Sequence, residues 1–584
     1  MVEMRSRPTT AEPSTTTLPR IAVFSGPTAT IGNSPPLVTS NKARARHGLP
    51  MLSAGDGAPI PVDNLRLQRL AAPVTVYVEA LSAHPLEVDA AHLYAPPDGW
   101  VDGEGVFSAV QPTEGGTPVH VVELLPEDGL LPLPYMARQA DGSAWEDTTS
   151  SPQSAAVNSR QTFYPDASRI YEEIDRVGVN GNGRPVELSG SAGFDFYRAV
   201  PSGGWTKGRA AAVRTDVGDG DIPPEEAGMD FYGYYPPHLH REPTLESLAR
   251  ATSLVQRVLS DGDYIGAQWL EGSPTTEETM YWLGLLIDTT VPLVGHSAQR
   301  PHGSLSADGD RNIVDGVKYL LSGVSNDEDG VDQIGAVMIV DEVVFSSREV
   351  TKTDARPGGY EVVGGHGGIV ADMGGYGPPQ VTFVPARKHT HTSEVRLTAL
   401  PTKVAGVSGS LADGIQLVDL AVKDDVGGLL PSAMPIVTFT KYGRYVATGT
   451  GAAGNPDAAG EVEILARIEA NLATAPLAGF VAEGMSPYGI GDPTSSAALA
   501  LATFCGMPVV RVGRGNTGGM AYKMDPVGIA GNNLSATKAR MLLMAAMLKL
   551  GALPPAADPH HPTPTEVAST RAALDAYQEI FDTH

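Results

Sequence analysis

From residue 243 onward, helical stretches alternate with short apolar runs, and this alternation restricts the fold more than any other feature of the chain. Leu245, Leu248, Leu254, Val255 and Val258 fall on one face of a helix over 243–259. A strand over 264–270, a helix over 276–288, a strand over 291–295, a helix around 313–321 and a strand over 336–340 follow. Strand-helix-strand order predicts a parallel sheet covered by helices on both faces. A second, smaller α/β series starts at 403–407 and continues through a strand at 479–483, an apolar helix at 497–504, a strand at 508–511 and a terminal helix at 536–550. Upstream, residues 20–31 read as an apolar strand entering a Gly-Pro turn. Alternating runs at 74–79 and 118–123 mark a β- and loop-rich stretch from about 65 to 235.

The 584 residues exceed what one core organises, since single cores stop growing near ~250 to 300 residues. The expected division is a disordered tail over 1–18, a large first domain over 19–400 and a smaller one over 401–584. A formal charge of −26, from 41 basic and 67 acidic residues, opposes binding to nucleic acid or to anionic lipid. Cys505, the only cysteine, excludes an internal disulfide framework and sits in an apolar run where a small buried thiol is expected. The N-terminal run lacks the apolar core of a secretory signal, and no stretch approaches the ~18 apolar residues of a membrane span, so a cytoplasmic protein is expected.

Four segments carry the chemistry: Glu271-Gly-Ser-Pro-Thr-Thr-Glu-Glu-Thr279, Ala298-Gln-Arg-Pro301, Ser306-Ala-Asp-Gly309 and Val350-Thr-Lys-Thr353. In this order and spacing they resemble the active-site half of the bacterial-type L-asparaginases, a family of amide hydrolases. Ala386-Arg-Lys-His-Thr390 and the run from Asn533 to Leu543 extend the likeness toward the C-terminus. The match covers about 19–45 and 243–584. The stretch 65–235 is an insertion without counterpart, and a shorter loop-rich insertion occupies about 408–460.

The resemblance implies two α/β domains and an amidohydrolase that splits a carboxamide through an ester on a threonine. The family's first signature, Thr-Gly-Gly-Thr after a strand, corresponds to Ser25-Gly-Pro-Thr28. Thr28 is therefore the candidate nucleophile, and Thr30 stays open because Pro27 alters the turn. Lys42 lies in the segment like the family's closing loop, where a Tyr is usual. Ser273 takes the place of the second catalytic Thr, and Lys352 that of the catalytic lysine. Glu271, Gly272, Pro274, Thr275, Gln299 and Tyr235 are the candidate substrate-binding residues. Thr275 and Glu278 also form an S/T-x-x-E pattern, which predicts a capped helix start with free N–H groups for a ligand carboxylate.

Pro274 stands where the family has an Asp that both stabilises the ammonium form of the lysine and holds the substrate's α-ammonium group. Loss of one charged hydrogen bond costs ~1.5 to 3 kcal/mol. The expected substrate is an amide without a free α-amino group. A true L-asparaginase or glutaminase, with Glu271 or the insertion holding the ammonium, and a non-catalytic homologue are the other readings. No metal or cofactor is expected, and the resemblance implies a homodimer or homotetramer with shared sites. His238-Leu-His240, His389-Thr-His391, the run 308–312 and the glycine-rich run 511–519 lack the partners that metal, calcium or nucleotide sites require.

Overall fold

The computed structural model describes residues 20–26, 74–79, 98–102, 106–112, 115–124, 137–139, 195–197, 244–261, 264–299, 308–356, 358–362, 367–374, 377–441, 461–486, 488–515 and 525–584. The candidate residues Thr28, Thr30, Lys42 and Tyr235, the 1–18 segment and His238-Leu-His240 lie outside them. Strand β1 (Arg20–Ser25) is followed by β2 (Val74–Glu79), β3 (Gly99–Val101), β4 (Phe107–Ser108), β5 (Thr117–Leu124) and β6 (Ala137–Gln139). The last five pair antiparallel in the order β4-β3-β5-β2-β6, so the alternating runs do form sheet. Strand β7 (Asp195–Tyr197) lies outside that sheet and pairs in parallel with β1.

The predicted alternation is present. Helix α1 (Leu245–Asp261), β8 (Gly266–Leu270), α2 (Thr275–Leu286), β9 (Leu293–His296), α3 (Gly309–Ser322), β10 (Val337–Val340) and β11 (Val343–Ser346) follow in order. The hairpin β12 (Val350–Lys352) and β13 (Tyr360–Val362), then β14 (Ile369–Asp372) and β15 (Gln380–Val381), complete this part. One sheet runs β15-β14-β11-β10-β9-β8-β1-β7, parallel from β7 through β10 and antiparallel beyond it. The run 308–312 is thus the start of α3.

A second sheet contains β18 (Ile436–Lys441), β19 (Ala478–Gly484), β20 (Val509–Gly513) and β21 (Ile529–Ala530), all parallel, after the antiparallel hairpin β16 (Lys403–Ser410) and β17 (Gly414–Ala421). The expectation of a loop-rich insertion over 408–460 fails for its first part: eight paired positions join β16 to β17 across a turn at 411–413, with Gly414 (φ 98°) opening β17. Helices α4 (Val462–Thr474), α5 (Pro493–Phe504), α6 (Ala536–Leu550) and α7 (Pro564–Thr583) accompany this sheet. The helix expected to be terminal, α6, is followed by α7. Helix α7 starts in a capping box, with Thr563 Oγ1 accepting from Glu566 N–H and the Glu566 carboxylate reaching back to Thr563 N–H.

Helix α2 is buried around nearly its whole circumference, because the first sheet lies on one side and α6 on the other. Trp282, fully buried, satisfies its indole N–H on Thr252 Oγ1 at 2.8 Å, and one apolar core runs from Phe24 and Trp269 through Trp282 to Leu543 and Phe581. Cys505 is buried as expected, and burial pushes its thiol up to about 12.

Asp332 is fully buried in the turn before β10, where it accepts from Gly335 N–H at 2.7 Å. Burial raises its pKa to about 7 from an ordinary 3.8. A raised folded pKa gives a contribution that is complete below pH 3.8 and lost as pH rises through about 7. Urea unfolding between pH 4 and 7.5 should therefore show stability falling in the wild type, with a flatter profile in Asp332→Asn. Parallel profiles would remove Asp332 as the cause.

Candidate active site

The described site residues gather at the carboxyl ends of the parallel strands β1, β8 and β9, where loops of an open α/β sheet carry ligands. Glu271, Gly272, Ser273 and Pro274 form the short link from β8 into α2. Ser297 and Gln299 leave the end of β9. Lys352 arrives from the β12–β13 hairpin, directly opposite Tyr360 in its register.

These elements converge on the Ser273 hydroxyl. Lys352 Nζ lies 2.8 Å from Ser273 Oγ, Tyr360 OH 2.7 Å from it, and Gln299 Nε2 3.2 Å from it. Tyr360 is 3% exposed, and its hydroxyl is also 3.3 Å from Ser297 Oγ. Burial, ahead of all other causes, raises the Tyr360 pKa, which keeps the phenol protonated in neutral solution. Ser273, Gln299 and Lys352 are only half-buried, so a small molecule can reach the cluster.

Each arm is fastened from behind. Glu277, buried in the first turn of α2, accepts Lys352 N–H at 2.6 Å and the Thr351 hydroxyl at 3.2 Å, which locks β12 to the helix that follows Ser273. Asp308 accepts Gln299 N–H through both oxygens at 3.0 and 2.9 Å, and Asn312 Nδ2 donates to Ser297 O at 2.8 Å. The start of α3 therefore holds the chain that leaves β9. From the second sheet's side, the Lys538 ammonium reaches from α6 to Glu277 O and, at 2.6 Å, to Ser347 O.

Glu271 is buried and accepts the Trp269 indole N–H at 2.9 Å. Its side chain packs against the end of β1: a Cβ on Gly26 would sit 2.6 Å from Glu271 Cδ, so any larger residue there would have to displace the buried carboxylate. Gly26 N–H also donates to Leu270 O at 2.7 Å, fixing where the chain leaves β1.

The predicted capping box does not form. Pro274 occupies the N-cap, Thr275 is already helical, and no side chain caps the helix. Thr276 does not replace the cap, because its hydroxyl donates to Glu271 O at 2.9 Å rather than accepting a backbone N–H. Thr276 N–H and Glu277 N–H are spent on Gly272 O and Pro274 O, so fewer donors face outward than expected. Proline carries no side-chain acceptor, which is why the pattern misleads. His389 turns Nε2 toward Gln333 O at 3.3 Å, and burial lowers its pKa to about 4.

Residues 241–357 match the family model described as "Asparaginase, N-terminal". This segment is similar to the N-terminal part of the asparaginases. The chain is 28% identical to L-asparaginase 2 of Bacillus subtilis (strain 168) over 188 residues, which is 31% of this chain and 47% of the relative. It is 33% identical to L-asparaginase of Bacillus licheniformis over 150 residues, 25% of this chain and 44% of the relative. Glutaminase-asparaginase of Acinetobacter glutaminasificans is 27% identical over 176 residues, 30% of this chain and 47% of the relative. The chain thus spans less than half the length of these asparaginase relatives.

Sequence reading selected Ser273, Lys352, Gln299 and Glu271 and missed Tyr360, Ser297, Glu277 and Lys538. A Glu in a first helical turn reads as an ordinary complement to the helix dipole, and nothing local marks it as an anchor for a distant strand. Tyr360 becomes visible only once β13 is known to fold back on β12, which puts it across from Lys352.

Proposed function

We propose that this chain hydrolyses the carboxamide of a small molecule, C–N bonds other than peptide bonds being its target. The observation that carries this is the Lys352–Ser273 contact at 2.8 Å, set at the strand ends where Thr28 follows β1 by three residues. Thr28, with Thr30 as the alternative, attacks the amide carbon and forms an ester. Ser273 and the neutral amine of Lys352 take the attacking proton and return it to the leaving amine, a task general acid-base groups accelerate by about 10² to 10⁴. Water then releases the acid by the same route.

The substrate in this reading lacks a free α-amino group. Pro274 offers no anion, Glu277 spends both carboxylate oxygens on Thr351 and Lys352, and Glu271 gives one to Trp269. A second reading, true asparaginase or glutaminase activity, is favoured by the position of Glu271 against Gly26, two residues before Thr28. The proposal includes the two-domain division at 400/401, a cytoplasmic homodimer or homotetramer with shared sites, and no cofactor. Among the described residues no helix is long and apolar enough to cross a membrane.

Release of ammonia or amine from L-asparagine, L-glutamine, aliphatic amides, N-substituted amides and lactams separates the readings. Turnover confined to amides without an α-amino group is the expected result. Strong asparagine turnover would establish the second reading instead, and silence across the panel would count against hydrolysis.

A further inference from the structure

The Ser273 hydroxyl has one proton to give and two lone pairs to receive, yet three polar groups surround it: Lys352 Nζ at 2.8 Å, Tyr360 OH at 2.7 Å and Gln299 Nε2 at 3.2 Å. An ammonium and an amide N–H₂ can only donate, whereas a phenol can do either. With Lys352 as ammonium, Lys352 and Gln299 fill both lone pairs. The Ser273 proton must then go to Tyr360 and the Tyr360 proton to Ser297, 3.3 Å away. With Lys352 as neutral amine, the Ser273 proton turns to Lys352. Tyr360 reverses and donates to Ser273, and Ser297 donates to Tyr360. Both arrangements pair the Ser273 and Tyr360 hydroxyl hydrogens, and both need a group behind Ser273 that can switch between donor and acceptor.

We infer that Tyr360, with Ser297 behind it, is a positioning residue of this site: a reversible hydroxyl chain that lets Ser273 pass its proton to Lys352 and take it back. The inference rests on the amide-hydrolase reading only for the reaction it serves. In the forward step, the attacking O–H gives its proton to Ser273 Oγ while the Ser273 proton moves to Lys352 Nζ, and an oxygen–carbon bond forms. In the return step, the Lys352 proton passes through Ser273 to the leaving nitrogen as the C–N bond breaks, so no proton is gained or lost. Tyr360 keeps its own proton throughout and only turns it.

The position suits this role. Tyr360 is 3% exposed, and its register opposite Lys352 fixes the two side chains to one end of the same hairpin. A phenylalanine keeps the ring in the core and removes only the switch. In that variant the ammonium state strands the Ser273 proton without its protein acceptor, while the neutral state leaves merely a lone pair unfilled. The stranded donor is the costlier defect. Lys352 therefore becomes a weaker base.

Competitive acetylation of amines in the full-length protein, read by mass spectrometry against pH, measures the Lys352 titration directly. Tyr360→Phe should lower its midpoint by about half a unit to one unit, the worth of one hydrogen bond. Ser297→Ala should shift it the same way but less, because it cuts the longer link. On a substrate found by the amide panel, Tyr360→Phe should lower kcat about ten- to hundredfold, with KM within about threefold, and move the acid limb of the pH profile down with the labelling midpoint. A folded Tyr360→Phe protein with an unmoved midpoint would overturn the inference. Should that variant fail to fold, Ser297→Ala decides, a lowered midpoint supporting the chain and an unmoved one overturning it. A shifted midpoint in a protein silent toward every amide would uphold the hydroxyl chain and reject hydrolysis, so the two failures are distinguishable.

Discussion

Lys352→Ala is expected to lower amide hydrolysis by about two to four orders of magnitude while leaving the protein folded. The backbone of residue 352 keeps its bond to Glu277, and the lost side chain is half-buried and polar, so the urea midpoint should stay close to that of the wild type. Lys352→Arg should be as inactive as the alanine variant, since a guanidinium does not give up its proton in proteins and has no lone pair to offer Ser273. Ser273→Ala should match it, and Ser273→Thr should retain part of the activity by keeping the hydroxyl. If Lys352→Ala and Ser273→Ala both keep substantial kcat, the converging hydroxyl cluster is not the proton-transfer site. The proposed mechanism would then have to be abandoned.

Lys538→Ala should cost about 3 kcal/mol of stability, the scale of removing one member of a buried polar arrangement. Its ammonium is buried, yet it donates to Glu277 O in the helix that follows Ser273 and to Ser347 O in the link from β11 to β12. The residue thus joins the second sheet's helix to both arms of the candidate site. Burial lowers its pKa to about 8 from 10.5, with Glu277, Glu278 and Glu349 opposing that shift. A depressed folded pKa means that the unfolded chain binds more protons between pH 8 and 10.5, so this residue's contribution becomes more favourable as pH rises through that window and is lost as pH falls through about 8. Urea unfolding of wild type and Lys538→Met at pH 7.5, 9 and 10 isolates this contribution from the tyrosines, which titrate in both proteins. The wild type should gain up to about 3 kcal/mol relative to Lys538→Met across the window. A constant difference would show that Lys538 does not carry the shift.

The order of elements was legible from residue 243 onward because α1 buries one apolar face, which imposes period 3.6, while β8, β9 and β10 are buried on both faces and read as short apolar runs. Helix α6 matches its expected limits, and β8 through β10 differ from theirs by a few residues. Ser273 and Lys352 were legible for a different reason: both lie in short segments whose residue types resemble those of the asparaginases.

Sequence by itself therefore determined the α/β architecture, the likeness to asparaginases and the candidacy of Ser273, Lys352 and Gln299. Only the tertiary structure decided that these three meet, and which other groups meet them. Tyr360 reaches Ser273 from β13 with Ser297 behind it, and Glu277 and Lys538 fasten the arms of the site through contacts spanning 75 and 261 residues of sequence. Such contacts leave no periodic trace, since a polar side chain is selected by one distant partner rather than by the element that carries it. The failed capping box was equally hidden: the S/T-x-x-E pattern was present, but the chain entered α2 one residue earlier, at Pro274, which has no side-chain acceptor for the first N–H groups.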